Sequence, residues 1–95
     1  MKTPVVFHND YVVYLEFFDG NTFIHCDCYK WNKKVKNSLQ QDVDSLVKLH
    51  RKPIIAIHEI EDKKHRKFLD IMKFTYHSDI PCTDGKVRQL FTRGL

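Results

Sequence analysis

The sequence predicts an α+β fold: a central mixed sheet with two packed helices, in the order β-β-α-β-α-β-β. Three observations carry this expectation. Residues 11–29 read as a hairpin of aromatic and β-branched strands around a turn. Residues 33–50 carry one apolar stripe at Val35, Leu39, Val43, Leu46 and Val47, with helical spacing. Between that helix and a second helical segment stands a short continuous apolar run, Pro53-Ile54-Ile55-Ala56-Ile57. With 95 residues, 42% hydrophobic and 29% charged, the chain fits one small folded domain and not a disordered one.

Taken in order, Val5-Val6-Phe7 is an apolar entry that reads as an edge strand. Tyr11 to Phe18 is the first hairpin strand. Asp19-Gly20-Asn21 tolerates positive φ, so the chain reverses there and Thr22 to Tyr29 returns. Strand alternation puts Ile24, Cys26 and Cys28 on the face expected to meet the core, and Phe23, His25, Asp27 and Tyr29 on the other. Asn32 is placed to cap the first helix. Its first turn carries Lys33, Lys34 and Lys36, the wrong sign for the helix dipole. Pro53 ends that helix, and Pro53 to Ile57 is expected as a central buried strand. Asp62 caps a second helix with Phe68, Leu69 and Met72 inward. Phe74 to Ile80 and Val87 to Thr92 make a last strand pair around Pro81-Cys82-Thr83-Asp84-Gly85. His65 and His77 are expected to meet beside the second helix.

A net charge of +4 and a pI near 9.0 permit contact with nucleic acid, phosphate or an acidic protein face, and require none of them. No apolar run is long enough to span a bilayer, so no membrane partner is expected. No charged-then-apolar leader opens the sequence, which points to the cytoplasm. Cys26, Cys28 and Cys82 are read as reduced thiols. His25, Cys26, Asp27 and Cys28 are divided between the two strand faces and do not offer the converging ligands zinc requires, so no metal is expected.

Strand, strand, helix, strand, helix, strand resembles the C-terminal part of the GNAT (acyl-CoA N-acyltransferase) fold. In that family the second helix reads as an Asn, a small residue three later, then a Leu-Tyr pair closing on Gly-Phe. Asp62, His65, Phe68-Leu69 and Lys73-Phe74 occupy those places here, and only Phe74 matches outright. Residues 55–93 more closely resemble a branch of short GNAT-like proteins of tailed bacteriophages, internal virion or head assembly proteins. His65-Arg66-Lys67-Phe68-Leu69, the aromatic strand through His77, the Asp84-Gly85 turn and Gln89-Leu90-Phe91-Thr92 carry that likeness. The first half matches in outline. The resemblance implies one truncated GNAT-like domain over residues 1–95, without the N-terminal strand-helix-helix unit of the family, in host cytoplasm or virion.

The departures bear on chemistry. Leu69 stands where the family places a Tyr that reprotonates the leaving thiolate, and leucine has no proton to give. The turn that holds the pyrophosphate of acyl-CoA in the family is rich in glycine, whereas Lys30-Trp31-Asn32-Lys33-Lys34-Val35-Lys36 contains none. The leading expectation is therefore a catalytically degenerate protein, with no cofactor, that acts by binding a phage virion or host protein. Hairpin aromatics and an open sheet edge would serve as anchors, the edge also allowing a homodimer. Its first rival is a minimal N-acetyltransferase, with acetyl-CoA held at Lys33, Lys34, Lys36 and Asn37 and with Glu59, or His58 through water, as base. The plain alternatives are a solvated basic helix start for the lysines and a solvent-facing strand end for His58 and Glu59. A second rival is a basic nucleic-acid-binding module, with Tyr14, Phe17, Phe18, Phe23, Tyr29 and Trp31 interleaved among lysines. CoA-binding sheets of this family splay one strand pair, here residues 22–29 and 53–58, and sequence leaves open whether that splay is kept.

Overall fold

The Asp19-Gly20 turn sets the frame of the molecule. In the computed structural model, which describes residues 1–94, these two residues have φ of 51° and 78°. Positive φ at both positions gives a two-residue turn whose twist suits a hairpin. It joins β2 (Tyr11–Phe18) to β3 (Asn21–Cys28), and their register runs unbroken from Phe18↔Asn21 to Tyr11↔Cys28. Residue 95, the last of the expected domain, lies outside the described residues.

The chain is completed by β1 (Lys2–Phe7), α1 (Lys33–His50), β4 (Ile54–His58), α2 (Lys63–Ile71), β5 (Thr75–Pro81) and β6 (Val87–Arg93). The strands form one mixed sheet in the order β1-β2-β3-β4-β6-β5, antiparallel at every junction except β3 with β4. β1 begins earlier than its apolar residues suggest, because ladder bonds to β2 recruit Lys2 to Pro4 whatever their side chains.

Both helices lie on one face of the sheet. Tyr11 and Val13 from β2, Val35, Leu39 and Val43 from α1, Ile54 and Ala56 from β4, and Leu69, Met72, Phe74 and Phe91 make the core between them. Gln40 on α1 donates to the Ile71 carbonyl at the end of α2 (3.1 Å). Tyr11 is fully buried, and its hydroxyl reaches Ser38 at 2.7 Å and Asp42, both on α1. Burial, and then Asp42, push that phenol up to about 12, so it stays neutral and ties β2 to the helix.

The helix ends follow their local chemistry. The Asn32 side chain accepts from the Val35 N–H at 2.9 Å, and Asp62 accepts from the His65 N–H at 3.0 Å. Arg51, at φ 58°, closes α1 in the left-handed region one residue before the Lys52-Pro53 stop. Lys73 takes φ 64° after α2, a left-handed conformation that glycine adopts more easily.

One expectation needs correction. β4 is central in the sheet but is not buried on both sides. Ile54, Ala56 and His58 face the helices and are buried, whereas Ile57, pointing the other way, is 44% exposed. The helices cover one face, so a continuous apolar run here serves two different environments.

Candidate functional site

The parallel junction opens the sheet. β3 and β4 are paired only at Thr22↔Ile54 and Phe23↔Ile55. Beyond that point β3 continues through residues 24–28 and β4 through 56–58 without pairing to one another, although each keeps its other neighbour. The backbone groups of β3 that face the gap therefore have no strand partner, and extended amides offered to them would complete the ladder. A cleft of about 1030 Å³ runs between the strands. Ile24, Cys26 and Ala56 line its inner part, with Leu69 and Met72 below them. Trp31 and Phe68 face one another near its rim, ring centroids 6.1 Å apart, and Lys30, Lys64 and Lys67 also line it.

A polar pair stands on the helix-free side of this cleft. The hairpin register sets Tyr14 opposite His25 and Glu16 opposite Phe23, so Glu16 and His25 are diagonal neighbours on one face. His25 Nε2 lies 2.9 Å from Glu16 Oε1, and both side chains are about one-third exposed, at 29% and 34%. The hydrogen bond from His25 holds the Glu16 carboxyl below its ordinary range, against a smaller opposing effect of burial. In the neutral tautomer that donates Nε2–H to the carboxylate, Nδ1 keeps its lone pair as a proton acceptor. Sequence reading took His25 only as a poor metal ligand. The register implied by the two-residue turn was the signal that could have found the pair.

His58 and Glu59 are in different settings. His58 is 2% exposed, beneath the first turn of α2, with its Nδ1 2.9 Å from Nδ1 of His65 and its ring edge-on to Phe91. Burial, then His58, lowers the His65 pKa, and Asp62 opposes this weakly. His77 does not meet His65. It lies at the irregularity of β5 between Tyr76 and Ser78, exposed, bonding the Ser78 hydroxyl at 2.9 Å. The register shift leaves this residue out of the ladder, which spacing alone does not reveal. Glu59 is held by Arg88, which donates from Nε at 2.5 Å and also grips Asp84 through both terminal nitrogens. Its carboxylate is committed to an ion pair rather than aimed into the cleft.

Of the lysines singled out at the start of α1, Lys34 lines a smaller groove of about 380 Å³ with His8, Asp10, Asn32 and Ser38. Lys33 and Asn37 are exposed and Lys36 is half-buried, and these three line neither hollow. The glycines stand at residues 20, 85 and 94, none of them at this turn. Leu69 is 2% exposed and lines the cleft from below, offering only apolar surface. The thiols of Cys26, Cys28 and Cys82 are free, and burial pushes Cys26 up to about 12. Among the described residues no three His, Cys, Asp or Glu side chains converge as a metal site. No helix among them is long and apolar enough to cross a membrane.

No family model and no curated protein matches this chain by sequence. By structure, it is similar to the ribosomal-protein-S5-alanine acetyltransferase from Vibrio fischeri, with a TM-score of 0.66 over 87% of this chain and 12% identity. The chain spans about half, 52%, of the length of that protein. At such identity the likeness is one of fold. Sheet order, the two helices on one face and this match agree: the chain has a GNAT-like α+β fold.

Proposed function

We propose that the protein binds the thioester end of an acyl-CoA in the β3/β4 cleft and transfers the acyl group to an amine presented on the helix-free side. The observation that carries this reading is the open junction: a sheet that pairs two residues and then parts around about 1030 Å³ is costly unless something fills the gap. Unpaired backbone along residues 24–28 suits the two amides of a pantetheine arm. Lys30, Lys64 and Lys67 line the cleft and suit its phosphates, by charge in place of a glycine cradle.

His25 is the proton acceptor of this proposal, in preference to Glu59 or His58. As the amine nitrogen bonds to the carbonyl carbon, the C–S bond breaks and the amine proton passes to His25 Nδ1. Glu16 stabilises the resulting imidazolium. Leu69 supplies no acid, but a thiol has a pKa of about 8.5 and its thiolate leaves without prior protonation.

Thiol release from acetyl-CoA in the presence of a primary amine tests this. His25→Ala is expected to lower the rate by about 10²–10⁴. No release above the spontaneous rate, or full activity in the variant, would overturn it.

A second reading is favoured by the uncovered sheet face and hairpin tip, where Phe7 is 77% and Phe18 70% exposed. It is a catalytically degenerate binding protein of phage virion or head assembly, or of host modulation, and the resemblance of residues 55–93 to short phage proteins supports it. A protein that neither releases thiol nor binds acetyl-CoA leaves this reading in possession.

A further inference from the structure

The rim of the cleft carries two exposed rings, Tyr29 and Trp31, that acyl transfer does not use. Tyr29 and Trp31 are 66% and 48% exposed just past the end of β3, with Lys30 between them. Two residues apart in an extended chain, their Cα atoms are separated by at most about 7 Å. Because β3 and β4 run parallel, α1 and α2 begin at the same end of the sheet, so Lys33 and Lys34 of one and Lys64 and Lys67 of the other join Lys30 there. Neither helix has an acidic residue in its first turn.

Among the described residues every ion pair is made by an arginine, a histidine or the N-terminus, and none by a lysine. Several acids are engaged elsewhere, Asp42 with Tyr11, Asp44 with Arg93, and Glu59 and Asp84 with Arg88, whereas Asp62, the cap of α2, lines the cleft with Lys64 and Lys67, and Asp10 lines the smaller groove with Lys34. Asp27, which lines the cleft, sits beside the Tyr14 hydroxyl.

We propose that this rim binds single-stranded nucleic acid, with Tyr29 and Trp31 stacking on bases and Lys30, Lys34, Lys64 and Lys67 tracking the phosphates. Lysines alone would fit any polyanion. The exposed rings select a strand with unpaired bases, since a duplex keeps its base faces covered. The inference stands apart from acyl transfer, but the two ligands share the rim and exclude one another.

Fluorescence anisotropy with a labelled oligothymidylate tests it, read together with quenching of Trp31, the single tryptophan. With three or four phosphates engaged, log affinity falls against log salt with a slope of about −2 to −3. Trp31→Ala weakens binding by about tenfold or more, and Lys64→Glu with Lys67→Glu flattens the salt slope by about 1 to 2. These residues are exposed, and unchanged circular dichroism and melting confirm that the variants fold. No binding at low salt up to about 100 μM protein, equal affinity for a duplex, or indifference to these substitutions would overturn the proposal. Displacement of the oligonucleotide by acetyl-CoA tests the shared rim separately from thiol release, so either idea can fail without the other.

Discussion

With two Nδ1 atoms 2.9 Å apart, the hydrogen bond between His58 and His65 holds a single proton, one nitrogen donating and the other accepting. Adding a proton to the accepting nitrogen would set two N–H groups against each other in a part-buried contact. The His65 pKa is accordingly lowered by burial and by His58. A depressed folded value means that the unfolded chain takes the proton first. The stabilising effect is complete above the unfolded value of about 6.5 and is lost as pH falls below it toward the folded value. Melting temperature between about pH 7 and pH 5 should therefore fall more steeply in the native protein than in His65→Gln. Equal slopes would contradict the pairing. Little of this was legible beforehand. His58 read as a strand-end residue at the surface, and only the packing of α2 over β4 turns it into a buried partner. The Glu16–His25 pair is the opposite case, because a turn of known length fixes which residues stand diagonal.

At the scale of elements, local chemistry was sufficient. Asn32, Asp62, Pro53 and the Asp19-Gly20 turn each have a local reason to start, stop or reverse the chain, and α1 and β2 span the expected residues. Asn32 supplies the one side-chain acceptor for the first turn of an 18-residue helix that has no acid there. Asn32→Ala is expected to cost about 1 kcal/mol, a fall in melting temperature of about 4–8 °C, measured by circular dichroism. A change below about 1 °C would show that the cap is dispensable. Edge strands were less legible, since their side chains need not announce them. β1 carries Pro4 and a register shift, and β5 carries a shift at His77 and ends on Pro81. Both features blunt an edge, so strand-to-strand addition of a second copy gains no support from them.

For the whole molecule, the class and order of elements could be read from periodicity, but the opening in the sheet could not. Whether two parallel strands stay together beyond their first pairs depends on what α1 and α2 leave between them, and no local pattern encodes that. The same holds for the bare sheet face. The run Ile54 to Ile57 looks uniform in sequence and yet meets helices on one side only. Absence of a glycine cradle and of a tyrosine at Leu69 argued against chemistry, and the proposed route runs instead through the open cleft and the His25–Glu16 pair. Thermal unfolding with acetyl-CoA tests most directly whether the cleft is a binding site. Ligand at about 100 times its dissociation constant adds about 2.7 kcal/mol to stability, which for a domain of this size raises the melting temperature by about 10 °C or more. A melting temperature unmoved at about millimolar acetyl-CoA would mean that the cleft does not hold it.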